Sequence, residues 1–207
     1  MLFPKPIESN VELLVVGANF ASQLAEIHAS ALGDDVLPAM GQQFLEHYYE
    51  HVSKLSHQLI IGCFEKQQLC GFCQVSYSPL SILKLMIASP FTILQIIKLM
   101  CSKPRLFWRG VRQASQRPVG VAKLQIPEVA FIAFKEEWQG CGLGKQMIEH
   151  VSKHSHQLGV AELFTKTSNQ VAKHLYIKYF NAKILASEKI DGNTYWYLSW
   201  KTDSRLS

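Results

Sequence analysis

Apolar residues along this chain change period several times, and each change marks a predicted element. Residues 12–16 form a short apolar run that reads as a strand. Asn19 can cap a helix running through the alanine-rich stretch to residue 32. A loop over 33–38, containing Asp34 and Asp35, leads to a second helix over 42–55 with Phe44, Leu45, Tyr48 and Val52 on one side. The runs 58–64 and 69–77 read as a hairpin about the polar turn 65–68. Beyond residue 120 strands and helices alternate: strand 125–134, helix 145–158, strand 161–167, helix 170–180. Strands 183–189 and 194–200 follow, joined by Asp191-Gly192-Asn193. The order β-α-α-β-β-β-α-β-α-β-β is that of an α/β chain. It carries no internal repeat or flexible linker, so residues 1–207 read as a single domain.

Residues 79–120 interrupt this order between the third and fourth strands. The stretch 80–100 is apolar, with a thin polar stripe at Ser81, Lys84, Thr92, Gln95 and Lys98. The stripe recurs near the helical period, which predicts two short helices flanking Ser89-Pro90. Two lysines and a central proline argue against a transmembrane span. Charge sharpens the picture. Between Glu65 and Glu128 there are nine basic residues and no acidic one, although the whole chain has a net charge of only +5. A block so one-sided points to an anionic partner or surface. Three readings follow: an extra helical layer on the sheet or on a second copy, a lid over a binding pocket, or an amphipathic segment on an anionic membrane. The basic run 103–112, with Phe107 and Trp108 inside it, favours the last two.

Composition excludes several classes. The five cysteines are an odd set without a disulfide framework. Cys70 and Cys73 form a C-x-x-C, but strand residues three apart point to opposite faces and no second pair completes a zinc site. His47 with His51, and His150 with His154, are i,i+4 pairs lacking a third ligand nearby in sequence. No metal site is therefore expected. Residues 1–8 contain two prolines and no apolar core of a signal peptide, which makes a cytoplasmic chain, peripheral at the inner membrane surface in the third reading, the expectation.

The run Gln139-Gly140-Cys141-Gly142-Leu143-Gly144-Lys145 carries the chemistry. A glycine-rich turn from a strand into a helix N-terminus gathers backbone N–H donors, without intervening Cβ atoms, at the positive end of a helix dipole. That is a diphosphate cradle. A Walker-type loop would need glycine and a hydroxyl residue where Gln139 and Gln146 stand. A dinucleotide fingerprint read from Gly142 would need glycine at Met147. What remains is Q-x-x-G-x-G. Downstream of the next strand, Asn169, Ala172, Leu175 and Tyr176 make N-x-x-A-x-x-L-Y, trailed by Lys178 and Phe180. Asn169 reads independently as the cap of its helix. Two such motifs, in this order and at this separation, resemble the GCN5-related N-acetyltransferase (GNAT) family, over essentially the whole chain outside 79–120.

The resemblance implies a mixed central sheet splayed between the fourth and fifth strands, flanked by helices and elaborated by the insertion. It implies acetyl-CoA as co-substrate and direct attack by an amine in a ternary complex. A lysine-type amine must first lose a proton, at about 4.6 kcal/mol at pH 7, so a general base is expected. Glu128 stands at the family's spacing for a strand glutamate base, and Asp34 and Asp35 are alternatives for holding or deprotonating the amine. Tyr176 is the implied acid for the departing thiolate. Ile132, Ala133 and Phe134 would pair with the pantetheine arm through their backbone. Amides from Gln139 to Lys145 (Gln139, Gly140, Cys141, Gly142, Leu143, Gly144 and Lys145) would hold the pyrophosphate. Asn169 and Lys173 would contact the arm and the phosphorylated end. The expected acceptor is a small-molecule amine: the second helix resembles a bacterial subgroup of which some members act on amino sugars, which points to an anionic amino sugar or sugar nucleotide over a polyamine, with a protein N-terminus or lysine left open. A non-catalytic acyl-CoA-binding or membrane-associated module of the same fold is the alternative. Contact with a membrane through 80–112, or with a second copy, is the further partner expectation, and nucleic acid is not expected.

Overall fold

The computed structural model describes residues 11–33, 36–78, 90–115 and 126–203. A seven-stranded sheet organises them in the order β1-β2-β3-β4-β5-β7-β6. Its strands are β1 (Glu12–Val15), β2 (Gln58–Glu65), β3 (Gln68–Ser76), β4 (Glu128–Phe134), β5 (Glu162–Thr167), β6 (Lys183–Ile190) and β7 (Asn193–Lys201). Every neighbouring pair is antiparallel except β4 and β5. The helices are α1 (Ala21–Ala31), α2 (Val36–Ala39), α3 (Gln42–Val52), α4 (Pro90–Ser102), α5 (Pro104–Ser115), α6 (Leu143–Gln157) and α7 (Gln170–Phe180).

The parallel pair decides the shape of the site. β4 runs alongside β3 from Glu128 to Phe134, but it meets β5 only at Glu128↔Phe164 and Val129↔Thr165. Beyond Val129 the two strands part. The mixed sheet is thus splayed between its fourth and fifth strands, as expected.

Two apolar clusters hold the faces. On one, α1 and α3 supply Leu24, Ile27, Leu45 and Tyr49 against Ile60, Phe72 and Ala133. The insertion joins this face: Leu99 and Ile96 of α4, with Leu106 and Phe107 of α5, pack into the same cluster. On the other, Met147, Ile148 and Val151 of α6 and Tyr176 and Phe180 of α7 cover Cys73, Val129, Leu163 and Trp200.

Several details depart from the sequence expectation. Asn19 does not cap α1. It lies inside a 3-10 turn, Ala18–Phe20, closed by Phe20 N–H to the Gly17 carbonyl at 3.1 Å, and α1 starts one residue later. Residues 36–39 are a helical turn rather than loop, because Leu37 is buried and Pro38 lies in a first turn, where no donor is lost. The β2–β3 turn tightens to two residues, Lys66 and Gln67, with φ of 47° and 68°. Cys70 is a bulge residue: Cys63 pairs with Gly71 and Phe64 with Leu69. That extra residue breaks the alternation, so Cys70 and Cys73 enter the same apolar cluster instead of opposite faces. Prolines 90 and 104 each open a helix. The helix expected before Ser89-Pro90, and Asp34 and Asp35, lie outside the described residues.

Candidate active site

Among the described residues, the split between β4 and β5 leaves one side of β4 without a partner strand, and strand geometry fixes which groups it offers. Lys135 N–H donates to the Cys70 carbonyl at 2.9 Å. In an antiparallel ladder the direction alternates, so Ala133 and Phe131 turn their backbone groups toward β3. Ile132 and Phe134 turn theirs toward the split. Of the three residues expected to pair with an extended arm, the Ala133 amide is therefore committed to β3.

The glycine loop closes the open end of this edge. Gln139 Nε2 donates to the Phe134 carbonyl at 2.9 Å, clasping the loop to the end of β4. Gly140 and Gly142 take φ of 75° and 84°, left-handed values that a side chain would strain, and Gly142 is the N-cap of α6. Nothing lies within 4 Å of where a Cβ would stand on either. Gln139 N–H donates to Glu136 and Lys145 N–H to Gly142, both at 3.1 Å. The amides available to an anion thus narrow to Gly140, Cys141, Gly142, Leu143 and Gly144, at the positive end of α6. The Lys145 ammonium pairs with Glu149 at 3.3 Å and lies 5.0 Å from the Tyr179 ring centre. Cys141 Sγ turns back to the Gln139 carbonyl at 3.6 Å.

At the fork, where β4 and β5 part, the Thr165 hydroxyl donates to the Val129 carbonyl at 2.9 Å. Tyr176 is only 2% exposed, its ring centre 4.8 Å from that of Trp200 in a tilted pair, with Thr165 beside its hydroxyl. Burial, reinforced by Cys73 and opposed by Thr165, pushes its pKa well above the ordinary tyrosine range, so it stays protonated. Asn169 caps α7 through Oδ1, accepting from Val171 N–H at 2.8 Å and Ala172 N–H at 3.2 Å. Lys173 Nζ sits 4.2 Å from the Trp196 ring centre.

Glu128 occupies the other side of the same fork. It is opposite Ser76 and one residue before Val129, so its side chain points to the α1–α3 face while that of Val129 points to α6 and α7. There it acts electrostatically on Tyr48, which burial first, and Glu128 second, hold protonated far above the usual range against a hydrogen bond from Gln74. Tyr48 and Gln74 exchange hydrogen bonds at 3.0 and 3.2 Å. Gln74 reaches Gln58 at 3.2 Å, and Gln58 donates to Ser76 at 2.7 Å. Sequence reading placed Tyr48 among core aromatics and passed over this polar chain. Its signal was Gln74, a fully buried amide in a strand that is otherwise nearly all apolar. Among the described residues, no group of three or more histidine, cysteine or acidic side chains could hold a metal ion.

The model of the acetyltransferase (GNAT) family matches residues 23–181. No curated protein matches the sequence. Among solved structures, an acetyltransferase of the GNAT family from Streptococcus pneumoniae is similar at a TM-score of 0.57 and 15% identity, over 93% of this chain and 99% of that one. PaiA N-acetyltransferase from Thermoplasma acidophilum, solved in complex with coenzyme A, is similar at 0.52 and 14%, over 93% and 99%. An acetyltransferase from Thermus thermophilus is similar at 0.53 and 14%, over 92% and 96%.

Proposed function

The chain belongs to the GNAT acetyltransferase family, and from that premise we propose that it is an acetyl-CoA-dependent N-acetyltransferase working by direct attack in a ternary complex. The observation that carries the reading is the fork: an open β4 edge that ends at one side in the left-handed glycine loop and at the other in the Thr165–Val129 hydrogen bond, with buried Tyr176 beside it. A thioester arm laid along Ile132 and Phe134 runs between those two ends. Its pyrophosphate meets the amides from Gly140 to Gly144, and its sulfur comes toward Tyr176.

The incoming amine loses its proton to Glu128, directly or through water, on the α1–α3 face. Attack on the carbonyl builds an oxyanion that the outward N–H of Phe134 stabilises. Collapse breaks the C–S bond, and the protonated Tyr176 hydroxyl gives its proton to the thiolate. Placing acid and base on opposite faces of one fork keeps the two proton transfers apart. The acceptor class in this reading is an anionic amino sugar or sugar nucleotide. It is supported by α5, which lies against α2 and reaches β6 with Arg109 half-buried on it, and by the lack of any acidic residue from 66 to 127.

Calorimetric titration with acetyl-CoA, followed by thiol release against amino sugars, sugar nucleotides, amines and peptides, tests the proposal. Micromolar binding with release on one acceptor class is the expected result; absence of binding sinks it. Tyr176→Phe should lower turnover about a hundredfold with acetyl-CoA affinity nearly unchanged. Activity surviving that change would remove Tyr176 as the acid and favour a module that binds without catalysing. Glu128→Gln should displace the pH–rate profile, and an unaltered profile would take Glu128 out of the mechanism.

A further inference from the structure

The outer face of α4 is apolar where solvent meets it. Ile93, Leu94, Ile97 and Met100 stand at helical spacing on a single arc and are all exposed, Leu94 at 62%. The opposite arc is satisfied, since Leu99 and Ile96 are packed into the α1–α3 cluster. A run of isoleucine, leucine and methionine facing outward from a helix that already has a buried side is not explained by folding. Its neighbours are cationic. Lys98 flanks the arc on α4, Lys103 links α4 to α5, Arg105 opens α5, and all three are exposed. Trp108 is 57% exposed on α5 beside them.

We propose that this face of α4 and the start of α5 dock the protein onto an anionic membrane surface, with the helix lying in the interface rather than crossing it. Among the described residues no helix is long and apolar enough to span a bilayer. An in-plane helix needs less: an apolar arc that enters the headgroup boundary, basic residues at its margin, and an aromatic with a polar edge. Charge chooses the occupant. A two-fold contact with a second copy would set this acid-free basic block against itself, like charge on like. A nucleic acid would answer the charge and leave the isoleucine–leucine arc in water. A bilayer with anionic headgroups satisfies both. Each basic residue near such a surface strengthens binding roughly fivefold.

The test is sedimentation of the full chain with phosphatidylcholine vesicles, with and without phosphatidylglycerol, at about 0.15 M salt. The protein should pellet with the anionic vesicles and stay in solution with the neutral ones. Ile97→Glu should weaken the partition at least about tenfold. Lys98→Gln with Lys103→Gln should weaken it about thirtyfold. Acetyl-CoA affinity serves as the control for folding, because neither variant touches the β4–β5 fork. Failure of both variants to bind acetyl-CoA would shift the test to Met100→Gln, which removes apolar surface from the same arc without adding charge and should weaken the partition several-fold. The proposal is overturned by absence of binding to anionic vesicles, or by partition that the substitutions leave unchanged. It is also overturned if ultracentrifugation finds a dimer that Ile97→Glu dissolves while vesicles never bind. Loss of acetyl-CoA binding in the wild-type chain with vesicle binding intact would count against the acetyltransferase reading and not against this one.

Discussion

His28 shows how one residue can set the acid limit of the whole fold. It is completely buried on α1, with Nδ1 2.5 Å from the Tyr49 hydroxyl and its ring 4.7 Å from that of Phe131. Nε2 has no hydrogen-bond partner among the described residues. Burial lowers its pKa from 6.5 to about 4. The folded protein therefore keeps His28 neutral where the unfolded chain takes up a proton. Between pH 6.5 and 4 the unfolded state binds more protons, so stability falls as pH falls through that window, by about 3 kcal/mol in all. Above pH 6.5 the residue has no further effect. Urea unfolding at about pH 7.5 and about pH 4.5 should show this loss, and His28→Asn should reduce it. Equal losses in both proteins would clear His28. Nothing in the pattern of α1 announced this role. A histidine on a helix reads as a surface residue until the aromatic partners brought by β3, β4 and α3 close around it.

At the scale of elements, what could be read locally was read well. α7 came with its bounds because Asn169 is a cap and Ala172, Leu175 and Tyr176 share a face, both decided within a dozen residues. The β6–β7 turn, Asp191-Gly192, has φ of 49° and 84°, as an Asp-Gly pair invites. The elements that escaped depend on distant partners. α2 is helical because Leu37 finds a core and Val36 meets Gly110 of α5, 74 residues away. The Cys70 bulge is fixed by β2 across the ladder. Gly71 is of the same kind. A Cβ there would lie 2.1 Å from the Phe134 ring, so the strand needs glycine to let β4 settle against β3. Gly71→Ala should destabilise the protein by about 1–3 kcal/mol. It should also weaken acetyl-CoA binding, because the ring it displaces belongs to a residue whose backbone faces the split. A variant with wild-type stability and affinity would show that Phe134 yields freely.

The whole molecule is two half-sheets joined by a short parallel waist, Glu128↔Phe164 and Val129↔Thr165, with Tyr176, Phe180, Leu163 and Trp200 packed across it. The motifs predicted that a split exists, but not which amides it frees, since that depends on the β3–β4 register. A ligand strand in the gap would tie the halves together. Acetyl-CoA at about a hundred times its dissociation constant should stabilise the fold by about 2.7 kcal/mol and raise Tm by roughly 5–10 °C. Hydrogen exchange should slow at Ile132 and Phe134 on binding, with Ala133 already slow in the free protein. Protection confined to Ala133 would mean the alternation is assigned the wrong way round.

The unpaired side of β4 has one more consequence. Strand edges on the rim of a sheet invite neighbouring chains to add themselves and begin a fibril. This edge faces β5 rather than the outside, and the β4–β5 pairing closes the gap at its base. A folded neighbour cannot bring its own strand alongside, whereas a narrow flexible chain can thread in. The fold thus keeps an unfinished ladder open to a small guest without the colloidal hazard that the same ladder would carry at its perimeter.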